Sequence, residues 1–365
     1  MARIKDVALV AGVSTATVSR VLSSSGPVGK ELRNRVLETV AKLGYRPNLA
    51  ARRLRSSRTQ TIGLIVSDVR NPFFTNISRA VEDIAYQQGM RVMLCNSDED
   101  PKKEALYLGI MEEEFVCGVI FSPTLGTAQQ FDVAAYPFPV VMIDRPVVPS
   151  AVDAVVLDNR VATHTLVDHL VAQGYRRIGG IFGSASGTGL ARCESFHQVL
   201  QQHGLTGESQ LLTPTAAAAQ QKIEHWLAEP NRPEALLVSN GLFLLGTLQA
   251  IRAAGLKIPN DIALVGFDDD PWTSLVDPGL TVIAQPTYEI GRTAMELLLQ
   301  RLESPERPVR VVELAGSLIV RDGDRHHNRL APDPERRLSK GSARPRASSR
   351  CALRARIRLR PGARG

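Results

Sequence analysis

Apolar residues recur at two different periods along this 365-residue chain, and the change of period divides it. Up to Gly44 the period is helical. "IKDVALVAG" places Ile4, Val7, Ala8 and Ala11 on one face and stops at Gly12. Ser14 is suited to cap a second helix running to about Ser23, whose apolar face is Val18, Val21 and Leu22. "SSSGPVG" reads as a loop. "KELRNRVLETVAKLG" then predicts a third helix with Leu32, Val36, Val40 and Leu43 inward, closed by Gly44. Two helices meeting through the tight "AGVS" turn and braced by a third describe a helix-turn-helix.

From Thr61 the period shortens, and strand-like runs alternate with helical ones. The strands are "TIGLIVS", "RVMLCNS", "CGVIFS", "VVMID", "AVVLD", "RIGGIFG", "ALLVSN" and "IALVGF", several of them apolar throughout, as strands covered on both faces are. Helical patterns at 74–89, 160–173, 190–203, 241–254 and 287–302 separate them. The alternation predicts doubly wound parallel sheets in an α/β core, and some 260 residues are too many for one small sheet. Two lobes with a cleft between them follow. After Asp322 the periodicity is lost.

Between these blocks lies "YRPNLAARRLRSSRTQ". Pro47 stops the third helix, and Asn48 can cap a short amphipathic turn reaching Leu54. With Arg52, Arg53, Arg55 and Arg58 and little apolar surface, it is too short to be helical alone in water, so it is expected to fold only when something packs on it. The chain thus reads as a head (1–46), a hinge helix and linker (47–60), a two-lobed core (61–325) and a disordered basic tail (326–365).

Charge follows the same divisions. Residues 1–60 hold twelve Lys/Arg against three Asp/Glu, and 326–365 hold twelve against two, whereas 61–325 hold twenty against thirty-two. A basic head is the footprint of a polyanion binder, and an acidic body avoids nonspecific contact with the same polyanion. No run of eighteen apolar residues spans a membrane, and "MARIKDVALV" lacks the apolar stretch of a signal peptide, so a cytoplasmic protein is expected. Four scattered cysteines have no metal-ligand spacing, and neither metal nor cofactor is expected. No strand leads into G-x-G-x-x-G, and neither a P-loop nor G-x-S-x-G is present, so an enzyme on this scaffold is the weaker reading.

"IKDVALVAGVSTATVSRVL", followed by "VLETVAKLGYRPNLAARRLRSSRTQTIGLIVSDVRNPFF", "VVMIDRP", "ALVGFDD" and "TVIAQP", resembles the LacI/GalR family of bacterial transcriptional regulators from about residue 3 to 323. The resemblance implies a helix-turn-helix head, a hinge helix and a core similar to periplasmic sugar-binding proteins. It also implies a homodimer on a palindromic operator in double-stranded DNA, controlled by a small effector. It places Thr15 and Ala16 at the exposed first turn of the recognition helix and Arg20 one turn on, where Arg can meet guanine bidentately. Thr17 and Ser19 suit phosphates or capping. In the hinge it implies DNA contacts from Asn48, Ala51, Arg53 and Leu54, with Leu54 wedged into the minor groove.

For the cleft the resemblance implies a polyhydroxylated effector. Ser67, Asn71, Asp144, Arg145, Arg192, Asn240, Asp268 and Gln285 would hydrogen-bond it, and Phe73 and Phe74 would stack on its C–H face. Arg192 and Phe196 fit the family's Arg-x-x-Gly-Phe pattern, with Ser195 in place of glycine. Where the family often has Asn-Asp, this chain has Asn240-Gly241. Losing that acid while keeping Arg145 and Arg192 tilts the expected pocket electropositive and sets a sugar acid beside a neutral sugar. The Gly-rich "GSASGTG" at 183–189 is expected as a loop beside Arg192. Repression relieved by the effector is the expected polarity, with corepression or activation the alternative.

Overall fold

The computed structural model describes residues 2–23, 27–45, 59–145, 152–184, 186–325 and 356–358. The hinge candidates Asn48, Ala51, Arg53 and Leu54 lie outside them. The chain divides into two compact units, Met1–Thr59 and Gln60–Gly365.

In the first unit α1 (Ile4–Ala11), α2 (Thr15–Ser23) and α3 (Lys30–Lys42) enclose Val7, Ala8, Ala11, Val18, Val21 and Val36. Gly12 ends α1 at φ +65°, a left-handed position that glycine takes without strain. Ser14 caps α2, its Oγ accepting the Thr17 N–H at 3.1 Å. Leu32 is only half-buried and stands outside this cluster, while Thr39 is buried, its hydroxyl donated to the Arg35 carbonyl at 2.8 Å. That internal bond lets a polar side chain occupy the inner face expected for leucine.

The second unit opens with β1 (Thr61–Val66), α4 (Pro72–Gln87), β2 (Arg91–Asn96), α5 (Pro101–Glu113), β3 (Gly118–Phe121) and α6 (Leu125–Gln130). It continues through β4 (Val140–Ile143), β5 (Asp153–Leu157), α7 (Asn159–Ala172), β6 (Ile178–Gly183), α8 (Gly187–Gln202), β7 (Glu208–Leu212) and α9 (Ala216–Leu227). Then follow β8 (Ala235–Val238), α10 (Gly241–Ala253), β9 (Ala263–Phe267), α11 (Pro271–Leu275) and β10 (Thr281–Ala284). It closes with α12 (Thr287–Glu303), β11 (Val311–Leu314), β12 (Ser317–Ile319) and β13 (Arg356–Arg358).

Two α/β sheets result, ordered β13-β11-β5-β4-β3-β1-β2 and β12-β10-β9-β8-β6-β7. All pairings are parallel except those of β12 with β10 and β13 with β11. Each sheet has an apolar cluster on either face, which is why β3, β4, β5, β6, β8 and β9 are buried along their whole length. The chain passes between the lobes three times: at Asp158, at Gln285–Pro286 and at Ala315–Gly316. The first and third passages are joined by the Asp158 N–H on the Leu314 carbonyl at 2.8 Å. Gly316 fits there because a Cβ would lie 2.6 Å from Ile283 Cγ2.

Several expectations are corrected. The helix expected at 74–89 begins at Pro72, because Asn71 accepts the Phe73 N–H at 3.0 Å and proline is favoured in a first turn. "GSASGTG" is not wholly a loop: Ser186 caps α8 and the glycines enter its first turn, with the Gly189 N–H on Ser186 Oγ at 2.9 Å. β13 lies within the tail expected to be disordered, where it forms the edge of its sheet by pairing antiparallel with β11. Among the described residues no helix is long and apolar enough to cross a membrane.

Candidate functional site

The carboxyl ends of the strands of both lobes point into one cleft, the place where open α/β sheets bind ligands. Asp68 and Asn71 follow β1, Glu99 follows β2, and Asp144 and Arg145 follow β4. From the other lobe come Gly183 at the end of β6, Ser239 and Asn240 after β8, and Asp268 after β9, with Gln285 on the passage after β10.

Of the ten residues expected to meet an effector, nine line this cleft: Asn71, Phe73, Phe74, Asp144, Arg145, Arg192, Asn240, Asp268 and Gln285. Ser67 does not. It is fully buried, bonded to the Ser122 hydroxyl and carbonyl, and holds β1 to β3 behind the wall. Phe73 and Phe74 meet edge to face, 5.0 Å apart, and belong to the core as well as to the wall. Asn71 and Asn240 accept the N–H groups of Phe73 and Phe243, so each caps the helix it precedes.

Arg192 on α8 is buried, and its bonds run to two of the three interlobe passages. Its Nε donates to Asn159 Oδ1 at 2.7 Å, on the first passage, and Nη2 to Gln285 Oε1 at 3.3 Å, on the second. Nη1 donates to the Ser239 carbonyl, and the guanidinium lies 3.9 Å from the centre of the Phe267 ring. Gln285 passes the chain of bonds on, Nε2 to Asp268 Oδ1 at 2.6 Å, while Asp268 Oδ2 accepts the Gly241 N–H at 2.8 Å. Burial pushes the Asp268 carboxyl above its ordinary pKa, opposed by Arg192, Gln285 and Gly241. Burial likewise lowers the Arg192 pKa, opposed by Asp268 and Asp144.

In the other wall Asp144 is bridged across the cleft, Thr188 Oγ1 donating to its carbonyl at 2.8 Å. Burial raises its pKa, against Arg145 and Arg192. Arg145 is buried, bonded to Glu99 through both Nη atoms, one at 2.7 Å, to the Pro123 carbonyl at 2.8 Å and to Asp144 at 3.2 Å. Burial acts to lower its pKa, but the Glu99 bonds and charge, with Asp144 and Glu104, outweigh it and hold it above the ordinary value. Glu99, Asp144 and Asp268 share another property: each is a non-glycine residue at positive φ, +58°, +66° and +76°. Such backbone costs of order 1–3 kcal/mol per residue and collects at binding sites, where the surrounding structure holds it.

The electropositive pocket expected from the sequence is therefore corrected. Asp68, Glu99, Asp144 and Asp268 line the cleft with only two arginines, and Arg145 is already paired. Asp68, Glu99 and Thr188 escaped sequence reasoning because they lie on loops and a helix start that only the fold brings beside Asp144. Gly241 has a physical account too. A Cβ there would lie 2.7 Å from Asp270 Oδ2, so a second acid fills the space that a side chain at 241 would take.

On the head, Thr15, Ala16 and Arg20 are exposed and Thr17 and Ser19 half-buried. The Thr17 hydroxyl is paired with Ser14 Oγ at 2.9 Å, so its present role is in the cap.

Residues 3–48 match the family of bacterial regulatory proteins, lacI family, and residues 167–323 match the periplasmic binding protein-like domain. The chain is 34% identical over 328 residues to the HTH-type transcriptional regulator PtxS of Pseudomonas putida, covering 87% of this chain and 94% of that one. It is 32% identical over 323 residues to the ribose operon repressor of Halalkalibacterium halodurans, covering 88% and 97%. The crystal structure of the lac repressor dimer bound to operator and the anti-inducer ONPF superposes with a TM-score of 0.79 at 27% identity, over 88% of this chain and 99% of that one. This chain belongs to the LacI family of DNA-binding transcriptional regulators.

Proposed function

We propose that the chain is a cytoplasmic repressor of carbohydrate-utilisation genes, binding a palindromic operator as a homodimer and released by a sugar-like effector in the cleft. The observation that carries this reading is the lining itself: an arginine bracketed by Asp144 and Asp268, with amide side chains and aromatic edges, at the carboxyl ends of two parallel sheets. Paired acceptors and donors around an apolar wall suit vicinal hydroxyls on a ring with a C–H face. The ribose operon repressor and the operator-bound lac repressor dimer support it as similar proteins. Leu94 on the edge strand β2, and Leu106 and Phe115 on and after α5, are exposed apolar residues that a second copy would cover.

In this reading 1–46 is the DNA-reading head, 47–60 the hinge, 61–325 the effector-binding and dimerising core, and 326–365 an accessory tail. A ligand that bridges Asp144 in one lobe and Arg192 in the other has a different affinity for each lobe angle. By linkage it shifts that angle and with it the spacing of the hinges. Thr15, Ala16 and Arg20 read the major groove. Thr17, Ser19, Asn48, Ala51 and Arg53 contact the backbone or groove walls, and Leu54 enters the minor groove.

Gel-shift titrations on operator and scrambled duplex test the head. Arg20→Ala should lose about 1–3 kcal/mol on operator alone, whereas Arg53→Ala should weaken both duplexes alike. Equal loss on both by Arg20→Ala overturns the assignment.

A further inference from the structure

Two arginines face the cleft, and the structure treats them differently. Arg192 is held by neutral groups, Asn159, the Ser239 carbonyl and Gln285, and these bonds use three of its five N–H donors. Arg145 is held by charge. Both of its Nη atoms meet Glu99, Nη1 also meets the Pro123 carbonyl, and Nε meets Asp144. Bidentate pairing of this kind is the geometry by which an arginine would otherwise grip a ligand carboxylate.

Glu99 does not reach Arg145 by chance of a loose side chain. It lies 46 residues earlier in the chain, on the turn after β2, where Asp98 and Glu99 both take left-handed backbone, φ +52° and +58°. Asp98 is pinned by Lys103 Nζ at 2.5 Å and Asn96 Nδ2 at 2.7 Å, and Asp100 caps α5 just beyond. The turn thus presents Glu99 in one place, with its side chain 14% exposed and that of Arg145 5% exposed.

Removing the two ion pairs, Glu99 with Arg145 and Asp68 with Arg70, leaves Asp144 and Asp268 facing Arg192. Asp268 takes the first N–H of α10, so that helix end stabilises one of the protein's own acids, while Thr188 in the first turn of α8 donates to the Asp144 backbone carbonyl. A ligand carboxylate entering here would meet two acids, one already shielded cation and one cation shared between those acids. A hydroxyl meets acceptors and donors alike.

We propose that Glu99 sets the charge specificity of the cleft: by occupying Arg145 it closes that arginine to carboxylates, so that the effector is an uncharged polyhydroxylated compound rather than a sugar acid. This rests on the cleft being the effector site, as proposed above.

The test is calorimetric titration and thermal unfolding of the full-length chain with matched pairs, D-glucose and D-gluconate, D-galactose and D-galacturonate, D-ribose and D-ribonate, and with inorganic phosphate as a shape-independent anion. In the native chain no acid should bind better than its neutral partner; one that does overturns the proposal. Glu99→Gln should gain about tenfold or more in affinity for the acids or phosphate, the effect of one freed charge-assisted hydrogen bond. Adding Arg145→Gln to it should abolish that gain. No gain in Glu99→Gln, or a gain that survives loss of Arg145, overturns it. Circular dichroism checks the fold, and Glu99→Ala carries the same comparison should Glu99→Gln not fold. Silence of every sugar would defeat the effector reading, while the phosphate comparison would still decide the role of Glu99.

Discussion

Asp270 shows how one buried side chain behind the cleft, against Gly241, bears on stability. Its carboxyl is buried beside Asp268 and Asp269, against the open Cα of Gly241. Burial first, then the neighbouring Asp268 charge, push its pKa up to about 6. A carboxyl with a raised folded-state pKa favours the folded state while protonated. Between about pH 4 and pH 6 the native chain keeps a proton that the unfolded chain has lost, so this group's contribution declines as pH rises through that window. Asp270→Asn should remove that slope and raise stability at pH 7.5 by about 1–2 kcal/mol after allowance for solvent screening. Thermal unfolding of both chains from pH 4.5 to 7.5 measures it, and parallel curves would refute the assignment. Neither this residue nor Glu99 was legible as a site residue. Asp144, Arg192 and Asp268 were, because they sit within contiguous motifs, whereas Glu99 and Asp270 gain their meaning from strand ends that meet only in the folded lobes.

Among the elements, close approach rather than propensity decides where glycine is required. In α10 a Cβ at Gly246 would lie 2.0 Å from the Ala216 carbonyl oxygen at the start of α9. Backbone cannot yield as a side chain can, so Gly246→Ala should cost about 2–3 kcal/mol. Gly109 in α5 has open space where its Cβ would be, and Gly109→Ala should stabilise by about 0.5–1 kcal/mol through the restricted unfolded chain. Scanning calorimetry should therefore move the two midpoints in opposite directions, by roughly 2–4 °C per kcal/mol. The same contrast explains which elements the sequence disclosed. The eight expected strands are all present, six of them buried along their whole length, whereas the caps Asn71, Ser186 and Asn240 of α4, α8 and α10 emerge only in the fold. Helices α5, α6, α9 and α11 and the strands β7 and β10 to β13 were not among the expected elements. Helix α5 buries Glu104 on its inner side, where Thr124 and Thr127 satisfy it, so its apolar stripe is broken. The edge strand β7, "ESQLL", has no fully buried residue to give it a strand's apolar run.

At the scale of the whole molecule, charge and connectivity divide the work. The lobes share three chain passages, two of which bring Asn159 and Gln285 to Arg192, so the arginine is bonded to two of the segments that connect the lobes. The head unit ends at Thr59, and the charge changes sign close to that boundary: twelve basic and three acidic residues in 1–60, twenty and thirty-two in 61–325. Affinity for duplex DNA should therefore reside in the head and follow salt steeply. With six to ten phosphate contacts shared by a dimer, binding of the full chain should weaken about 10³-fold or more between 50 and 200 mM salt. A chain comprising 60–325 alone retains both sheets except β13, and both lobe cores, so it should unfold as the full-length core does and keep any effector-induced rise in melting temperature. It should bind neither operator nor scrambled duplex at any salt, because its net charge repels the phosphates and no recognition helix remains. Fluorescence anisotropy on labelled duplex across a salt series measures both. Duplex binding by 60–325 with an undiminished salt slope would place the DNA contacts in the body and defeat the division of labour argued from charge.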